Sequence, residues 1–178
     1  MAKQDFSGLR KPFLEKLTQL ARGDSKIIFI IGDVGWRFVE NYKDEFPNQF
    51  LNAGAAEQNM MNVAVGLANE GWKPWVYTMA NFICFRSYEQ VRNNIAYGNA
   101  NVKLVAVTGS AAYAFLGMSH NIYKVEESYQ NFNPKQMEDQ RLIDHLPNMR
   151  SYYPDTEEEV KEYMNFEYQR EGPAYLRI

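Results

Sequence analysis

The sequence predicts an α/β fold of three layers, in which a mainly parallel sheet of about six strands is flanked by helices. Short, continuous apolar runs such as residues 26–31 are typical of strands that are buried on both faces. Other segments have apolar residues three and four positions apart, which indicates amphipathic helices. The two kinds of segment alternate along the chain, and this alternation favours a parallel sheet with helices on both sides.

The elements follow in a regular order. A first amphipathic helix is predicted over residues 13–21 and ends at Gly23. Strands are predicted over residues 26–31, 49–52, 75–78, 102–107, 149–153 and 174–178. Further helices are predicted from residue 57 to 71, through residues 90–95, and from residue 155 onward. Asp155 and Glu158 have the spacing of a capping box at the start of the last helix.

Composition and charge exclude several classes of protein. The chain has 178 residues, of which 46% are hydrophobic, so a single domain over residues 1–178 is expected. A net charge of −3 argues against a nucleic-acid partner. No apolar run approaches the roughly 20 residues that span a bilayer. The first residues lack the apolar segment of a secretory signal, and Cys84 has no second cysteine to pair with, so a cytoplasmic location is expected.

Side chains suited to chemistry follow the predicted strands. They are Asp33 after the first strand, Glu57 after the second, Phe82, Phe85 and Tyr88 after the third, and His120 beyond the fourth. Ligands of parallel α/β sheets bind at the carboxyl ends of the strands, so we expect these residues to converge. Taken singly, Asp33 is more often a turn residue, and the histidine and phenylalanines are more often structural. The convergence therefore supports the prediction more strongly than any one residue.

Glu57 has the most informative surroundings of these residues. It lies in the first turn of a helix whose following residues, Met60 to Ala68, are apolar or small except for Asn62. Such surroundings partly desolvate a carboxylate, which favours proton uptake and allows acid–base chemistry near neutral pH. The alternative interpretation is a first-turn acid that the helix dipole stabilises.

Several sequence blocks occur in the order found in one enzyme family. They are residues 32–35 (Gly-Asp-Val-Gly), 52–60 (Asn-Ala-Gly-Ala-Ala-Glu-Gln-Asn-Met), 66–68 (Gly-Leu-Ala), 82–91 (Phe-Ile-Cys-Phe-Arg-Ser-Tyr-Glu-Gln-Val), 117–120 (Gly-Met-Ser-His), 146–149 (Leu-Pro-Asn-Met), 153–155 (Tyr-Pro-Asp) and 172–173 (Gly-Pro). Each block is weak by itself. As an ordered set over nearly the whole chain, they resemble the pyrimidine-binding domain of transketolases and deoxyxylulose-5-phosphate synthases.

The resemblance implies an enzyme that depends on thiamine diphosphate. The family glutamate that matches Glu57 hydrogen-bonds N1′ of the aminopyrimidine and promotes the tautomer that removes the thiazolium C2 proton. The rings that match Phe82, Phe85 and Tyr88 hold the aminopyrimidine. Asp33 matches an acidic residue near the cofactor, and His120 matches a histidine that faces the donor substrate. The implied catalytic residues are Glu57 and His120, and the implied cofactor-binding residues are Asp33, Glu57, Phe82, Phe85 and Tyr88.

Residues 116–120, which match a substrate-contacting loop of transketolases, depart from the family pattern. Transketolases have Asp-Gly-Pro-Thr-His where this chain has Leu-Gly-Met-Ser-His at residues 116–120. Thr108 stands where transketolases have another substrate histidine. Both differences make the pocket less polar and argue against an ordinary pentose phosphate substrate. Residues 121–136 are predicted to form a loop longer than the family pattern, which would cover an altered acceptor site or contact a partner.

The resemblance also implies a second subunit. In the family, Gly-Asp-Gly and a later Asn bind magnesium in a diphosphate-binding domain. Residues 32–34 with Asn52 do not match, because the spacing is short and residue 34 is valine. The chain stops where a transketolase continues into a C-terminal domain. We therefore expect a diphosphate-binding partner chain that supplies the Mg²⁺ ligands, in a heterodimer or heterotetramer.

Three functional hypotheses follow. The first is the pyrimidine-binding subunit of a two-chain transketolase-like transferase. It would move a two-carbon ketol unit from a ketose-type donor to an aldehyde acceptor, with modified or nucleotide-linked sugars among the candidate substrates. The second is a subunit of a split 2-oxo acid decarboxylase or acyloin synthase, which the less polar loop favours and the order of the blocks disfavours. The third is a non-catalytic scaffold subunit, against which the presence of Glu57, Phe82, Phe85 and His120 argues.

Overall fold

A six-stranded parallel sheet organises the part of the chain that the computed structural model describes, residues 8–108, 111–122 and 137–178. The strands are β1 (Ile27–Ile31), β2 (Phe50–Asn52), β3 (Lys73–Met79), β4 (Lys103–Val107), β5 (Arg150–Tyr152) and β6 (Ala174–Arg177). Their spatial order is β2-β1-β3-β4-β6-β5, and every neighbouring pair is parallel. The predicted α/β fold with a parallel sheet is confirmed.

Helices cover both faces of this sheet. They are α1 (Arg10–Gly23), α2 (Glu40–Glu45), α3 (Glu57–Asn69), α4 (Tyr88–Gln90), α5 (Glu138–Ile143) and α6 (Glu157–Gln169). Short 3₁₀ helices span Pro47–Gln49 and Ala111–Ser119, and wider π-helical turns span Phe82–Arg86 and Val91–Tyr97. The sequence had not predicted α2 and α5. Among the described residues, no helix is long and apolar enough to cross a membrane.

The strands β1 to β4 and β6 divide their apolar side chains between two hydrophobic clusters. In β1, Ile28 and Ile30 pack into the cluster beneath α3 and the Val91–Tyr97 segment. Phe29 and Ile31 pack into the cluster beneath α1 and α6. Successive side chains of a strand point to opposite faces, so a strand covered on both sides must be apolar throughout. All the residues of β1 are buried, which explains the continuous apolar run in the sequence.

The strand order reverses between β1 and β3, and this reversal creates a crevice at the carboxyl edge of the sheet. From β1 the chain passes to β2 on one side, and later returns to β3 on the other. Ile31 pairs with Asn52 of β2 and with Tyr77 of β3, so these strands end at similar levels. Such reversal points are where open α/β sheets bind ligands.

The N-terminal cap of α6 lies one residue beyond its predicted position. Thr156, not Asp155, is the cap: its Oγ1 accepts a hydrogen bond from the backbone N–H of Glu159 at 3.2 Å. The Glu159 carboxylate in turn accepts the N–H of Thr156 at 3.2 Å and that of Asp155 at 2.7 Å. The predicted pairing of Asp155 with Glu158 is therefore wrong, because the helix begins at Glu157. The predicted loop over residues 121–136 lies outside the described residues except for its first two positions.

Candidate functional site

Glu57 opens α3 at the crevice, and its carboxylate is buried. The side chain is 1% exposed. Among the described residues its partner is Arg86, whose Nη1 donates hydrogen bonds to Oε1 at 3.0 Å and Oε2 at 2.9 Å. A buried carboxylate without a partner is strongly destabilising, and Arg86 supplies the counter-charge that Glu57 requires.

Arg86 also stacks on Phe82. Its Cζ atom lies 3.8 Å from the centroid of the Phe82 ring, so the guanidinium covers one face of that ring. Both residues belong to the π-helical turn Phe82–Arg86, which places them on the same side. The Phe82 side chain is nearly buried, at 6% exposed, whereas that of Arg86 is 47% exposed. The backbone carbonyl of Arg86 is held by Gln58, whose Nε2 donates to it at 3.0 Å.

His120 contacts Phe82. The two ring centroids are 5.0 Å apart, and the ring planes meet at 72°, an edge-to-face geometry. His120 Nδ1 lies 2.8 Å from the hydroxyl of Ser119, and this hydroxyl donates to the carbonyl of Leu116 at 2.8 Å. Phe82 therefore contacts both a guanidinium and an imidazole.

The loop that presents His120 is tied to the end of β3. Asn81 Nδ2 donates to the carbonyls of Met118 at 2.9 Å and Ser119 at 2.6 Å. Gly117 has φ of 58° and ψ of −145°, which interrupts the helical turns and which a residue with a Cβ adopts only with strain. Met118 is 74% exposed beside this turn, so the loop offers apolar surface to a ligand or partner.

Asp33 lies in a second hydrogen-bonded group at the same edge. Its N–H donates to Asn52 Oδ1 at 3.1 Å, and Asn52 Nδ2 donates back to Asp33 Oδ1 at 3.1 Å. Trp36 Nε1 donates to the same carboxylate oxygen at 3.3 Å. Asp33 has φ of 56°, a left-handed conformation that is uncommon outside glycine. Asp33 and Asn52, which do not match the Gly-Asp-Gly…Asn metal motif, thus connect the loop after β1 to the end of β2.

A cavity of about 130 Å³ lies beside Asp33. Its lining includes Arg10, Asp33, Trp36, Tyr77, Met79 and Val107. Met79 and Val107 are the last residues of β3 and β4, so this cavity also opens at the carboxyl edge of the sheet.

The other two predicted aromatic residues lie in different surroundings. Phe85 is 52% exposed. Tyr88 is partly buried against the cluster beneath α3, and its hydroxyl donates to the carbonyl of Leu142 at 3.1 Å. The structure thus joins Glu57 to Phe82 through Arg86 and joins His120 to them through its contact with Phe82, and it places Phe85 on the surface and Tyr88 towards α5.

Arg86 is the residue that sequence analysis missed. It stands inside a matched block, four positions after Phe82, and a basic residue at that spacing was the available signal. Its importance follows only from the burial of Glu57, which requires a counter-charge.

The side chains of this site suit a flat nitrogen heterocycle. A buried carboxylate accepts an N–H, and the neighbouring Phe82 ring offers a stacking face, which together match an aminopyrimidine. Among the described residues, no three His, Cys, Asp or Glu side chains are grouped so that they would hold a metal ion.

Comparison with known proteins identifies the family that this fold and site define. The family model described as the transketolase pyrimidine-binding domain matches residues 8–178. The chain belongs to this family.

Individual relatives include polypeptides of multi-chain transketolases. A subunit of the apulose-4-phosphate transketolase of Phocaeicola vulgatus is 39% identical over 113 residues, which is 63% of this chain and 36% of the relative. The SqwH subunit of the 6-deoxy-6-sulfo-D-fructose transketolase of Clostridium sp. (strain MSTE9) is 26% identical over 171 residues, which is 96% of this chain and 49% of the relative. The chain thus spans less than half the length of these two curated relatives.

Solved structures agree with this assignment. A split-gene transketolase, described as an inactive beta4 tetramer, superposes with a TM-score of 0.78 at 30% identity, over 95% of this chain and 50% of that one. The transketolase of Campylobacter jejuni superposes with a TM-score of 0.73 at 16% identity, over 99% of this chain and 27% of that one, which shows the shared fold.

Proposed function

We propose that this chain is the pyrimidine-binding subunit of a two-chain, thiamine diphosphate-dependent transketolase-like enzyme. The proposal rests above all on the Glu57 carboxylate, which is 1% exposed and lies beside Phe82 at the carboxyl edge of the sheet. The names of the transketolase subunits among its relatives support it. The family match over residues 8–178 supports a single domain over residues 1–178.

The residues of this chain would bind and orient the aminopyrimidine. When bound, thiamine diphosphate supplies the nucleophilic carbon that takes up and releases a two-carbon ketol unit. Glu57 would share a proton with N1′ of the ring, and its burial strengthens that hydrogen bond because little water competes for it. Phe82 would stack on the ring. His120, in contact with Phe82, would accept a hydrogen bond from the donor substrate.

The remaining predicted residues would act at the edges of this site. Phe85 is 52% exposed, so it is available to contact the cofactor where the two subunits meet. We assign Asp33 and Tyr88 supporting roles beside the cofactor: the first holds the loop after β1 through Asn52, and the second anchors its helical segment to α5. The diphosphate and Mg²⁺ ligands are assigned to a Gly-Asp-Gly…Asn partner subunit, in a heterodimer or heterotetramer.

The substrate class follows from the loop and the relatives. Leu116 and Thr108 replace an aspartate and a histidine of the transketolase pattern, so the donor pocket is less polar than one for an ordinary pentose phosphate. The named substrates of two relatives are modified sugars, apulose 4-phosphate and 6-deoxy-6-sulfo-D-fructose. We therefore propose a modified ketose as donor and an aldehyde as acceptor.

Reconstitution with the partner subunit tests this function. Cofactor binding is measured by calorimetry for this chain alone, for the partner alone and for the pair, and a panel of ketose donors is then screened. We expect tight thiamine diphosphate binding by the pair only. Glu57→Gln in the pair should lower kcat by roughly a hundredfold or more, because a positioned proton-transfer group contributes at least that much. Glu70→Gln, at the exposed opposite end of α3, is the matched control.

Three results would contradict the proposal. Unchanged turnover by Glu57→Gln would remove the assigned role of Glu57. Release of carbon dioxide from a 2-oxo acid, without ketose cleavage, would replace the transferase by the decarboxylase or acyloin synthase hypothesis. A pair that binds no cofactor would favour the scaffold.

A further inference from the structure

We propose that Arg86 is an internal placeholder for the aminopyrimidine. In the cofactor-free subunit its guanidinium occupies both contacts that the cofactor ring would use, and it leaves them when the ring binds. This inference rests on the proposed function of the site, because it requires that a ring donate to Glu57.

The first contact is with the Glu57 carboxylate. A single nitrogen of Arg86, Nη1, lies 3.0 Å from Oε1 and 2.9 Å from Oε2. The carboxylate is 1% exposed, so water does not compensate its charge. A ring nitrogen that approaches the carboxylate from the side where Nη1 bridges its two oxygens would take the space that Nη1 now fills, so the two donors compete there.

The second contact is with the face of Phe82. The guanidinium carbon lies 3.8 Å from the ring centroid, which is a stacking distance. The guanidinium and the aminopyrimidine are both planar and both carry N–H donors, so one can replace the other between Glu57 and Phe82. Arg86 thus keeps the site open and the Glu57 carboxylate paired before the cofactor arrives.

The Arg86 side chain can leave the ion pair because it is much more exposed to solvent than the Glu57 side chain. Its side chain is 47% exposed, whereas that of Glu57 is 1% exposed. When the pair opens, the guanidinium enters water and the carboxylate passes directly to its new donor. The backbone need not move, because Gln58 holds the carbonyl of Arg86 at 3.0 Å independently of the side chain.

The exchange has a measurable consequence for affinity. If the site is mostly occupied by Arg86, only the fraction of molecules with a free Glu57 is ready for cofactor, and the apparent affinity falls by that fraction. Removing the guanidinium should therefore tighten cofactor binding, while it destabilises the cofactor-free chain by leaving Glu57 unpaired. A purely structural ion pair predicts the opposite change in affinity, because its loss would disorder the site.

The test uses the reconstituted pair with Arg86→Met, which keeps an unbranched side chain over Phe82 without a charge. Arg86→Gln, uncharged but still able to donate one hydrogen bond, is measured in parallel in case the first variant fails to fold. The control is Arg22→Met, which removes an exposed arginine–glutamate pair with Glu45 that lies outside the site. The Kd of thiamine diphosphate is measured by calorimetry at saturating Mg²⁺, and the Tm of this chain alone by calorimetric scanning.

For either Arg86 variant that folds, we expect the Kd to fall by about threefold or more, since a placeholder that is mainly in place lowers affinity by at least that factor. The Tm of the cofactor-free chain should fall as well. Arg22→Met should leave the Kd unchanged. An unchanged or weaker Kd in the Arg86 variants, with wild-type binding intact, would overturn the placeholder and leave the proposed function standing. Failure of the wild-type pair to bind cofactor would instead refute the proposed function.

Discussion

Ser119 determines which nitrogen of His120 holds a proton. The Ser119 hydroxyl lies 2.8 Å from Nδ1 of His120, and it donates its one proton to the carbonyl of Leu116 at 2.8 Å. The hydroxyl must therefore accept from Nδ1–H. In the neutral imidazole the lone pair is consequently on Nε2, which is the nitrogen that would accept a hydrogen bond from the donor substrate of the proposed function.

The Ser119→Ala variant tests this tautomer assignment. We expect a larger population of the Nε2–H form in ¹⁵N NMR spectra, and a loss in kcat/KM of the reconstituted enzyme of about two- to tenfold, the usual effect of one lost hydrogen bond. Ser25→Ala, which is exposed just before β1 and so lies at the opposite edge of the sheet, is the control. Identical tautomer populations in wild type and Ser119→Ala would refute the assignment.

The cap of α6 provides a prediction about stability with an adjacent control. Thr156→Ala removes the hydroxyl that accepts the N–H of Glu159 and should lower the free energy of unfolding by about 1 kcal/mol. Asp155→Ala, one residue earlier, should change it by less than about 0.5 kcal/mol, because the backbone of Asp155 makes the contact to Glu159. Urea denaturation of both variants measures the difference. A larger loss of unfolding free energy for Asp155→Ala than for Thr156→Ala would show that Asp155 is the cap.

The carboxyl group of Glu167 makes the free energy of unfolding depend on pH. It is 3% exposed and accepts from Lys103 at 2.9 Å and Tyr152 at 2.7 Å, and it pairs with Arg170 at 2.8 Å. Burial alone would raise the pKa of Glu167, but the hydrogen bonds from Arg170 and Tyr152 and the charge of Lys103 hold it below its usual value of 4.5. The folded state therefore binds the proton less readily than the unfolded chain does. This stabilisation is complete above pH 4.5 and is lost as the pH falls through the lower folded-state pKa.

Glu167→Gln should consequently cost about 3 kcal/mol of unfolding free energy at pH 7, because it leaves buried donors poorly paired. The difference from wild type should shrink as the pH falls below 4.5. Chemical denaturation from pH 7 downward measures it, with the exposed Glu158→Gln of the same helix as control. A difference that is independent of pH would show that Glu167 is not ionised in the folded protein.

Cys84 should be chemically inert in the folded chain. The thiol is 1% exposed, and burial raises its pKa, with the charge of Asp139 acting in the same direction. Since the thiolate is the reactive form, a thiol reagent should modify less than a tenth of the protein under native conditions in the time that unfolded protein reacts fully, about tenfold protection or more. Colorimetric titration with and without urea gives the comparison. Full modification in native buffer would contradict the burial of Cys84.

Periodic patterns predicted the parts of the fold that depend on local sequence. The buried run of β1 and the apolar stripe of α1 each reveal their structure within a few residues, and both occur close to the predicted bounds. The helix α2 was missed because Tyr42 is its one buried residue, which leaves no apolar repeat to detect. The helix α5 depends on Asp139, which accepts from Tyr175 at 2.6 Å and Arg177 at 2.7 Å in the distant strand β6.

The residues of the candidate site also include some that local sequence predicted and one, Arg86, that it did not. Glu57, Phe82 and His120 were predicted because each follows a recognisable strand, and parallel strands bring such positions together. Arg86 was not, because an arginine on a half-exposed helical turn is usually solvated, and nothing near it in the chain reveals a buried carboxylate across the crevice. The ion pair with Glu57 joins residues 29 positions apart, so it depends on the fold as a whole.

The attachment of the loop that presents His120 affects how the protein can evolve. Asn81 holds two carbonyls of this loop, at Met118 and Ser119, by backbone contacts that do not depend on the side chains at those positions. Met118 is 74% exposed, so it can be exchanged without disturbing the buried core of the sheet and its helices. If the proposed function holds, single substitutions at this exposed position would change the substrate preference while the sheet to which the loop is attached stays the same.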